Sequence, residues 1–334
     1  MPDSPIPAAG SEPAPGSEPA PNPGPEWLRW LALAVAVTGV IVFAWVLGTE
    51  WGGVVHSHPA YGILLVVMLV ASLAVVWWAR RPRPGRTGWR RVARVGLLVL
   101  GIGWIAAVAW LRPLGAVEPA LTAMHSDGAV EVEESPTQIV LTPRGGASET
   151  GVLFQPGALV DPRAYAAVLR PLAESGHTVV IAKPPLGIAF FSLPAFDSTR
   201  SAHPEVSQWV VGGHSLGGVV AAMQADSADT DSVAPAVGLL LYASYPAGDI
   251  GDSLTASVES ISGSEDGLST PAQIDASRAD LPPEAFFTVI DGASHANFGD
   301  YGPQRGDGTP TISRDDARTQ ISQASVQFVD MFNG

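Results

Sequence analysis

Three uncharged apolar runs in the first third of the chain constrain its fold more than any other feature. They cover residues 30–47, 61–79 and 95–111 and are 18, 19 and 17 residues long. A helix needs roughly 17–25 mostly apolar residues to cross the hydrocarbon core of a bilayer. The runs therefore predict three transmembrane helices within a membrane region over residues 26–112.

The stretch before the first run is acidic and rich in proline. Residues 1–25 hold nine prolines and a direct repeat, GSEPAP, at 10–15 and again at 16–21. Such a composition buries too little apolar surface to offset the entropy of ordering, so it predicts a disordered tail. A cleaved signal peptide would begin with a short basic stretch, which this chain lacks.

Arginine placement predicts how the helices are oriented. The segment between the second and third runs holds seven arginines, at positions 80, 81, 83, 86, 90, 91 and 94, whereas the loop between the first two runs has none. Short loops rich in Lys and Arg stay in the cytoplasm. The N-terminus is therefore expected inside, and everything after residue 111 outside the cytoplasm.

Charge and cysteine content exclude several functions. Residues 116–334 contain 9 Lys and Arg against 27 Asp and Glu. An acidic domain repels polyanions, so nucleic acid is not expected as a partner. The chain has no cysteine, which excludes disulfides and thiol catalysis.

Strand and helix signals alternate over residues 135–334, after a stretch at 113–134 that we interpret as a linker. Most strands are continuous apolar runs, as in a sheet covered by helices on both faces. The candidates are Gln138–Thr142, Gly151–Gln155, Thr178–Ala182, Trp209–Gly212, Val237–Ala243, Ser257–Ser262 and Phe286–Ile290. The clearest helix, over 162–175, has Asp161 as its N-cap. The pattern predicts a doubly wound, mostly parallel α/β domain.

A G-x-S-x-G motif lies at 213–217, between a predicted strand and a predicted helix. A serine on a sharp strand-to-helix turn occupies strained backbone, and the flanking glycines leave room that a Cβ would fill. The start of the helix directs free N–H groups toward a developing oxyanion. This context makes Ser215 the candidate nucleophile.

Serine needs a neighbouring base, and in this arrangement the acid and then the histidine follow the serine along the chain. His295 is the one histidine after Ser215, just past the last predicted strand. Asp266 is the preferred acid, because it follows a strand end where catalytic loops gather. Glu265 and Asp249 stay open as alternatives, and Asp291 is interpreted as a turn residue.

Two further sets of residues are candidates for the site. The N–H of Leu216 and that of Ala158, beside Gly157 in the turn after the strand Gly151–Gln155, are expected to form the oxyanion hole. The cluster Phe190, Phe191, Leu193 and Phe196 either lines an apolar acyl pocket or packs a helix on the sheet. We assign Phe190 and Phe191 to substrate binding.

Several blocks in the same order resemble the dienelactone-hydrolase-like alpha/beta hydrolase fold-5 family of the α/β-hydrolase superfamily. The resemblance covers roughly residues 136–332. It includes residues 155–165, 182–186, the motif at 213–217, and the blocks 263–267 and 293–302. It implies an α/β-hydrolase fold with Ser215, Asp266 and His295 as the catalytic triad. The membrane region lies outside it.

These observations predict a membrane-anchored serine hydrolase that cleaves carboxylic esters through an acyl-enzyme, without metal or organic cofactor. The expected partners are a small ester or acyl substrate and the lipid bilayer. Since no long lid insertion is visible, short or medium acyl groups are expected. The alternatives are an acyltransferase acting on cell-envelope alcohols and a non-catalytic sensor or binding module with the same fold.

Overall fold

A computed structural model describes residues 26–80 and 88–333. Its α-helices are α1 (Glu26–Val55), α2 (Pro59–Ala79), α3 (Gly88–Trp110), α4 (Ala120–Ala123), α5 (Ala166–Glu174), α6 (Ala195–Ala202), α7 (Leu216–Ala228), α8 (Pro271–Ala276) and α9 (Arg314–Asp330). The strands are β1 (Val130–Glu134), β2 (Gln138–Pro143), β3 (Thr150–Gln155), β4 (Thr178–Ala182), β5 (Gln208–His214), β6 (Ala236–Tyr242), β7 (Ser257–Gly263) and β8 (Phe286–Ile290). The predicted disordered tail, 1–25, and three of the seven arginines, Arg81, Arg83 and Arg86, lie outside the described residues.

Helices α1, α2 and α3 are each long and apolar enough to cross a membrane. Helices α1 and α2 approach closely at small residues: a Cβ on Gly39 would overlap the Ser72 side chain. Tyr61 donates a hydrogen bond to the carbonyl of Val108, which ties α2 to α3. Small residues at the contact allow helices to pack in a bilayer, where no hydrophobic effect drives them together.

Tryptophan is concentrated in these three helices. Nine of the ten tryptophans belong to α1–α3, and all nine are exposed. One end of the bundle carries Trp27, Trp30, Trp77, Trp78 and Trp89, and the half toward the other end carries Trp45, Trp51, Trp104 and Trp110. Tryptophan is enriched at the two membrane–water interfaces. Two aromatic girdles therefore bracket the apolar part of the bundle.

The eight strands form one sheet in the order β1-β2-β4-β3-β5-β6-β7-β8. Strand β2 is antiparallel to β1 and β4, and all other neighbours are parallel. The predicted mostly parallel α/β sheet is confirmed, and each of the seven predicted strands is present to within one or two residues at its ends. The strands after β3 are added first on one side of it, as β4, and then on the other side, as β5 to β8. Open α/β sheets bind ligands at such a switch point, beyond the carboxyl ends of the strands.

Each face of the sheet has its own core, because side chains alternate along the strands. In β3, Val152 and Phe154 pack on the face covered by α5 and α9, while Leu153 packs on the face covered by α7. In β5, Val210 and Val211 separate in the same way. Both faces are buried, which explains why these strands consist of continuous apolar residues.

The predicted linker over 113–134 is wrong. This stretch includes α4 and β1, and its residue Leu114 forms a bridge with Val160. Strand β1 lies at the edge of the sheet, where Val130 is buried and Glu133 faces solvent. Charged side chains of this kind are common on a half-exposed edge strand. The sheet therefore starts at residue 130 rather than after 135.

Polar contacts cluster where helices α1–α3 meet the sheet domain. Helix α1 has a non-helical residue at Glu50, whose carboxylate receives a hydrogen bond from Arg112 at 2.5 Å. His56, just after α1, lies 3.0 Å from Glu134 of β1. Glu134 also accepts a 2.6 Å hydrogen bond from the buried Lys183. The sheet domain thus sits directly against one end of the helical bundle.

Candidate active site

The predicted nucleophile lies on a tight turn between β5 and α7. Ser215 has φ 52° and ψ −123°, a strained conformation for a residue with a side chain. Its N–H donates to the carbonyl of Tyr242 at 3.0 Å. A Cβ at Gly213 would overlap the backbone of Gly217, and one at Gly217 would overlap the carbonyl oxygens of Gln155 and Pro156. The glycines of the motif are therefore required by close backbone contact.

The predicted acid and base form a hydrogen-bonded pair. His295 Nδ1 lies 2.9 Å from Asp266 Oδ2, and both side chains are almost completely buried. The other carboxylate oxygen of Asp266 accepts the N–H groups of Leu268 and Ser269 at 2.8 and 2.7 Å. The carboxylate is fixed and can orient the imidazole. With Nδ1 facing Asp266, Nε2 is the nitrogen available for proton transfer.

Neither of the two alternative acids, Glu265 and Asp249, is paired with His295, and neither is Asp291. Glu265 is exposed. Asp249 accepts the N–H of Gly251 in its own loop. Asp291 accepts the hydroxyl of Ser264 at 3.2 Å. Of the four acids considered, Asp266 is the one paired with His295.

His295 lies next to the nucleophile's turn. Its ring centroid is 4.5 Å from that of His214, the residue before Ser215. His295 Nε2 is buried and has no hydrogen-bond partner among the described residues. The side chains of Ser215 and His295 are thus brought into one region without a direct hydrogen bond. Catalytic hydrogen bonds are often long in the absence of substrate.

The predicted oxyanion turn follows β3. The N–H of Gly157 donates to the hydroxyl of Tyr165 at 2.9 Å, so it is not free to bind a substrate. The N–H groups of Ala158 and Leu216 have no acceptor among the described residues. Since Gly217 packs on the carbonyls of Gln155 and Pro156, this turn and the start of α7 are direct neighbours. Two free donors therefore stand on adjacent elements.

A buried polar network that the sequence analysis missed lies behind the nucleophile. The hydroxyl of Tyr165 accepts from Gly157 and lies 2.8 Å from Nδ1 of His214. Burial lowers the pKa of His214 well below its usual 6.5, and the charge of nearby His295 adds to this effect. Burial also raises the pKa of Tyr165. The neutral ring of His214 accepts a hydrogen bond from the hydroxyl of Tyr165, which fixes the turn at Gly157 to the turn at Ser215.

Asp307 is a second residue that the sequence did not reveal. One carboxylate oxygen accepts the N–H groups of Gly267 at 3.2 Å and His295 at 3.0 Å, and the other accepts that of Ala296 at 2.8 Å. Burial alone would raise the pKa of Asp307, but the N–H donors outweigh it and lower the pKa below 3.8. Asp307 therefore joins the loop of the acid to the loop of the base. Its position between two glycines in a loop carries no periodic signal.

The four apolar residues after β4 separate into two groups. Phe196 is buried against Trp209 and belongs to the core. Phe190 and Phe191 are 42% and 59% exposed, and Leu193 is 40% exposed. Phe190 and Phe191 therefore do not pack a helix on the sheet.

No group of three His, Asp or Glu side chains that could hold a metal ion is found in the described parts of the chain, 26–80 and 88–333.

The model of the alpha/beta hydrolase family matches residues 151–319, and the chain belongs to this family. The match includes Ser215, Asp266 and His295 and ends before the last part of α9. The sheet topology and the family match together place the domain in the class of α/β-hydrolase-fold proteins. No curated protein sequence matches the chain.

Solved structures with a similar sheet domain come from bacterial and metagenomic sources. A dienelactone hydrolase-like promiscuous phosphotriesterase from metagenomic libraries is 16% identical, with a TM-score of 0.47, and covers 62% of this chain and 100% of its own. An α/β serine hydrolase without lid from Xanthomonas campestris is 14% identical, with a TM-score of 0.43, over 61% and 96%. A butyrate-bound esterase from Thermogutta terrifontis is 13% identical, with a TM-score of 0.43, over 61% and 94%. The family assignment rests on the sequence match over residues 151–319.

Proposed function

We propose that the chain is a membrane-anchored serine hydrolase that cleaves carboxylic esters, with Ser215, His295 and Asp266 as its catalytic triad. The observation that carries the proposal is the buried pair of His295 and Asp266, 2.9 Å apart, beside a strained serine turn. The two N–H donors hold the Asp266 carboxylate against the imidazole, where it can stabilise the imidazolium that forms during catalysis.

The mechanism follows from the positions of these groups. His295 Nε2 accepts the proton of Ser215 as its oxygen attacks the acyl carbonyl, and the ester's alcohol leaves with that proton. The N–H groups of Leu216 and Ala158 stabilise the oxyanion. Water, deprotonated by His295, then attacks the acyl-enzyme and releases the acid. Gly157 supports this site through Tyr165 rather than as a donor.

Short or medium acyl groups are the proposed substrates. The segment from β5 to His295 contains no insertion long enough to form a lid over a long acyl chain. Hydrolysis of a series of 4-nitrophenyl esters from acetate to palmitate tests this preference. The highest kcat/KM should fall at six carbons or fewer, and a maximum at palmitate would contradict it.

The anchor is proposed to be α1–α3, with the hydrolase domain outside the cytoplasm. The apolar helices and their two tryptophan girdles support insertion, and the arginines around 80–94 support the orientation. Protease added to spheroplasts should degrade the hydrolase domain while leaving a cytoplasmic marker protein intact. Protection of the domain until the membrane is opened with detergent would contradict the orientation.

Ester hydrolysis by the detergent-solubilised full chain tests the chemistry. Wild-type protein should hydrolyse 4-nitrophenyl butyrate, and Ser215→Ala should reduce kcat/KM by about 10⁴-fold or more. Ser232→Ala, at an exposed serine, is the matched control and should keep the wild-type value. A butyryl group attached to the peptide containing Ser215, seen by mass spectrometry after an acid quench, would identify the acyl-enzyme. Equal activity of wild type and Ser215→Ala would overturn the proposal.

A further inference from the structure

The segment over residues 184–193, here called the bridging loop, links the membrane helices to the candidate active site. At its beginning, Leu186 packs against the apolar cluster that α1, α2 and α3 share. Leu186 also lines a small cavity with Tyr61 of α2 and Leu159. The N–H of Leu159 donates to the carbonyl of Gly187 at 2.8 Å. Leu159 follows Ala158, so this end of the loop touches both the bundle and the oxyanion turn.

The other end of the bridging loop is fixed to the elements that carry the site. Ser192 donates a 2.9 Å hydrogen bond to the side chain of Gln155, the last residue of β3. Gln155 in turn donates to Gln224 of α7, the helix that starts after Ser215. Gln224 donates to the carbonyl of Leu193 at 2.9 Å. These buried amides hold the loop in place, so its exposed side chains are presented by a rigid support.

Between these two attachments the loop exposes large apolar side chains. Phe190, Phe191 and Leu193 are 40–59% exposed on a domain whose surface is otherwise strongly acidic. Phe190 is four residues beyond Leu186, so it lies within about 14 Å of the contact with the bundle. An exposed apolar patch marks an interaction surface.

The adjoining end of the helical bundle indicates what covers this patch. Trp51, Val55 and Trp110, at the ends of α1 and α3 nearest the hydrolase domain, are also exposed, at 62%, 52% and 67%. These residues lie where a bilayer surrounding the bundle has its interface. Leu186, at the start of the bridging loop, packs against this end of the bundle, so the patch lies close to that interface. Its neighbour is therefore the lipid of the membrane in which the chain's own helices sit.

We propose that Phe190, Phe191 and Leu193 insert into the adjacent leaflet and deliver bilayer-held esters to Ser215. This inference rests on the proposed function. Because that function puts a short or medium acyl group on the serine, the part of the substrate that stays in the membrane is its alcohol. The substrate class is thus an ester of a short or medium acid with a membrane-anchored alcohol. Phe190 and Phe191 then contact lipid and the alcohol portion rather than enclosing the acyl chain.

The first test compares two butyrate esters on the full chain in phosphatidylcholine vesicles. One is water-soluble 4-nitrophenyl butyrate, and the other is the butyryl ester of a long-chain fluorescent alcohol embedded in the vesicles. Replacing both Phe190 and Phe191 by Ser should lower the ratio of kcat/KM for the embedded ester to kcat/KM for the soluble ester tenfold or more. Phe286→Ser is the matched control, because Phe286 is 49% exposed at the amino end of β8, opposite the site. It should affect neither ester.

The outcomes separate this inference from the proposed function. If wild type hydrolyses the soluble ester through Ser215 but the double variant cleaves both esters at wild-type rates, the inference is wrong and the proposed function stands. If wild type hydrolyses neither ester, the proposed function fails.

A second measurement reports the membrane contact without any activity. The chain has no cysteine, so Phe191→Cys can be labelled at a single position with a nitroxide. In vesicles the label at 191 should be accessible to oxygen and shielded from a water-soluble nickel complex, whereas Phe286→Cys should show the reverse. Equal access of the nickel complex to both positions would overturn the proposed membrane contact.

Discussion

Helices α1–α3 and the hydrolase domain use apolar residues in opposite ways. In α1, α2 and α3, only 17%, 17% and 6% of the apolar segment of each helix is buried within the protein. In the sheet domain, by contrast, β3 and β4 are buried along their whole lengths. One region leaves its apolar surface exposed and the other folds that surface inward. The same kind of sequence run therefore signals a span when it is about 18 residues long and a strand when it is about five.

The hydrolase domain also buries a charged pair, Asp266 and His295, and substituting Asp266 is expected to have the largest effect on activity. Asp266→Asn keeps the shape of the buried pair but removes the charge that orients and stabilises protonated His295. We expect kcat/KM for 4-nitrophenyl butyrate to fall about 10⁴-fold. Glu265→Gln and Asp249→Asn are matched controls and should stay within twofold of wild type. A large loss in either control, with Asp266→Asn active, would move the acid to another residue.

A charge placed on each region tests the lipid assignment directly. Val70 lies near the middle of α2 and is 60% exposed, while Val233 is 75% exposed on the hydrolase domain. Val70→Asp should cost about 2.5–3.5 kcal/mol of insertion free energy, whereas Val233→Asp should change stability by less than about 0.5 kcal/mol. The fraction of each variant found in washed membranes measures the difference. Equal membrane fractions for both variants would contradict a bilayer around α2.

Asp307→Asn tests whether the Asp307 carboxylate holds the loop of Asp266 and the loop of His295 in their relative positions. Its N–H contacts with Gly267, His295 and Ala296 weaken when the charge is lost, and the Asp266 and His295 loops then separate slightly. A misplacement of about 1 Å can cost 10²-fold in rate, so we expect kcat to fall 10- to 100-fold with KM nearly unchanged. Asp252→Asn, at an exposed aspartate, is the control. Unchanged kcat in Asp307→Asn would mean that the loops hold their positions without this residue.

The smallest effect is a pH dependence of stability at His214. Its pKa in the folded protein is lower than the 6.5 of an unfolded chain. Above 6.5 both states are neutral there. As the pH falls below 6.5, the unfolded state takes up a proton that the folded state refuses, so stability decreases. His214→Gln removes the ionisable ring and with it this loss of stability at low pH. The difference in thermal unfolding midpoint between wild type and the variant should therefore become smaller from pH 8 to pH 5. A gap that stays constant or widens would contradict the neutral buried ring, with His125→Gln as the exposed-site control.

The sequence was most informative where one physical requirement dominates a segment. Strand β4, Thr178–Ala182, was predicted with the observed bounds because a strand covered on both faces must be apolar throughout. The glycines around Ser215 were readable for a similar reason, since a tight turn excludes Cβ atoms at defined positions.

Features that depend on residues far apart in the chain could not be predicted from the sequence. Strand β1 is recognisable as a strand only through its pairing with β2. The roles of Tyr165, His214 and Asp307 arise from contacts across 8 to 49 residues of sequence. The link between Leu186 and the membrane bundle is likewise a tertiary contact between segments that look independent in sequence.

The central claim is that Ser215 is an activated nucleophile whose base is His295. Labelling of the detergent-solubilised full chain with a fluorophosphonate probe tests it most directly, because the probe reacts with activated serines whatever the natural substrate. We expect wild type to be labelled, Ser215→Ala to be unlabelled and His295→Ala to react much more slowly, with all three showing the same thermal unfolding transition. A folded wild type that does not react, or labelling that survives in Ser215→Ala, would contradict the claim.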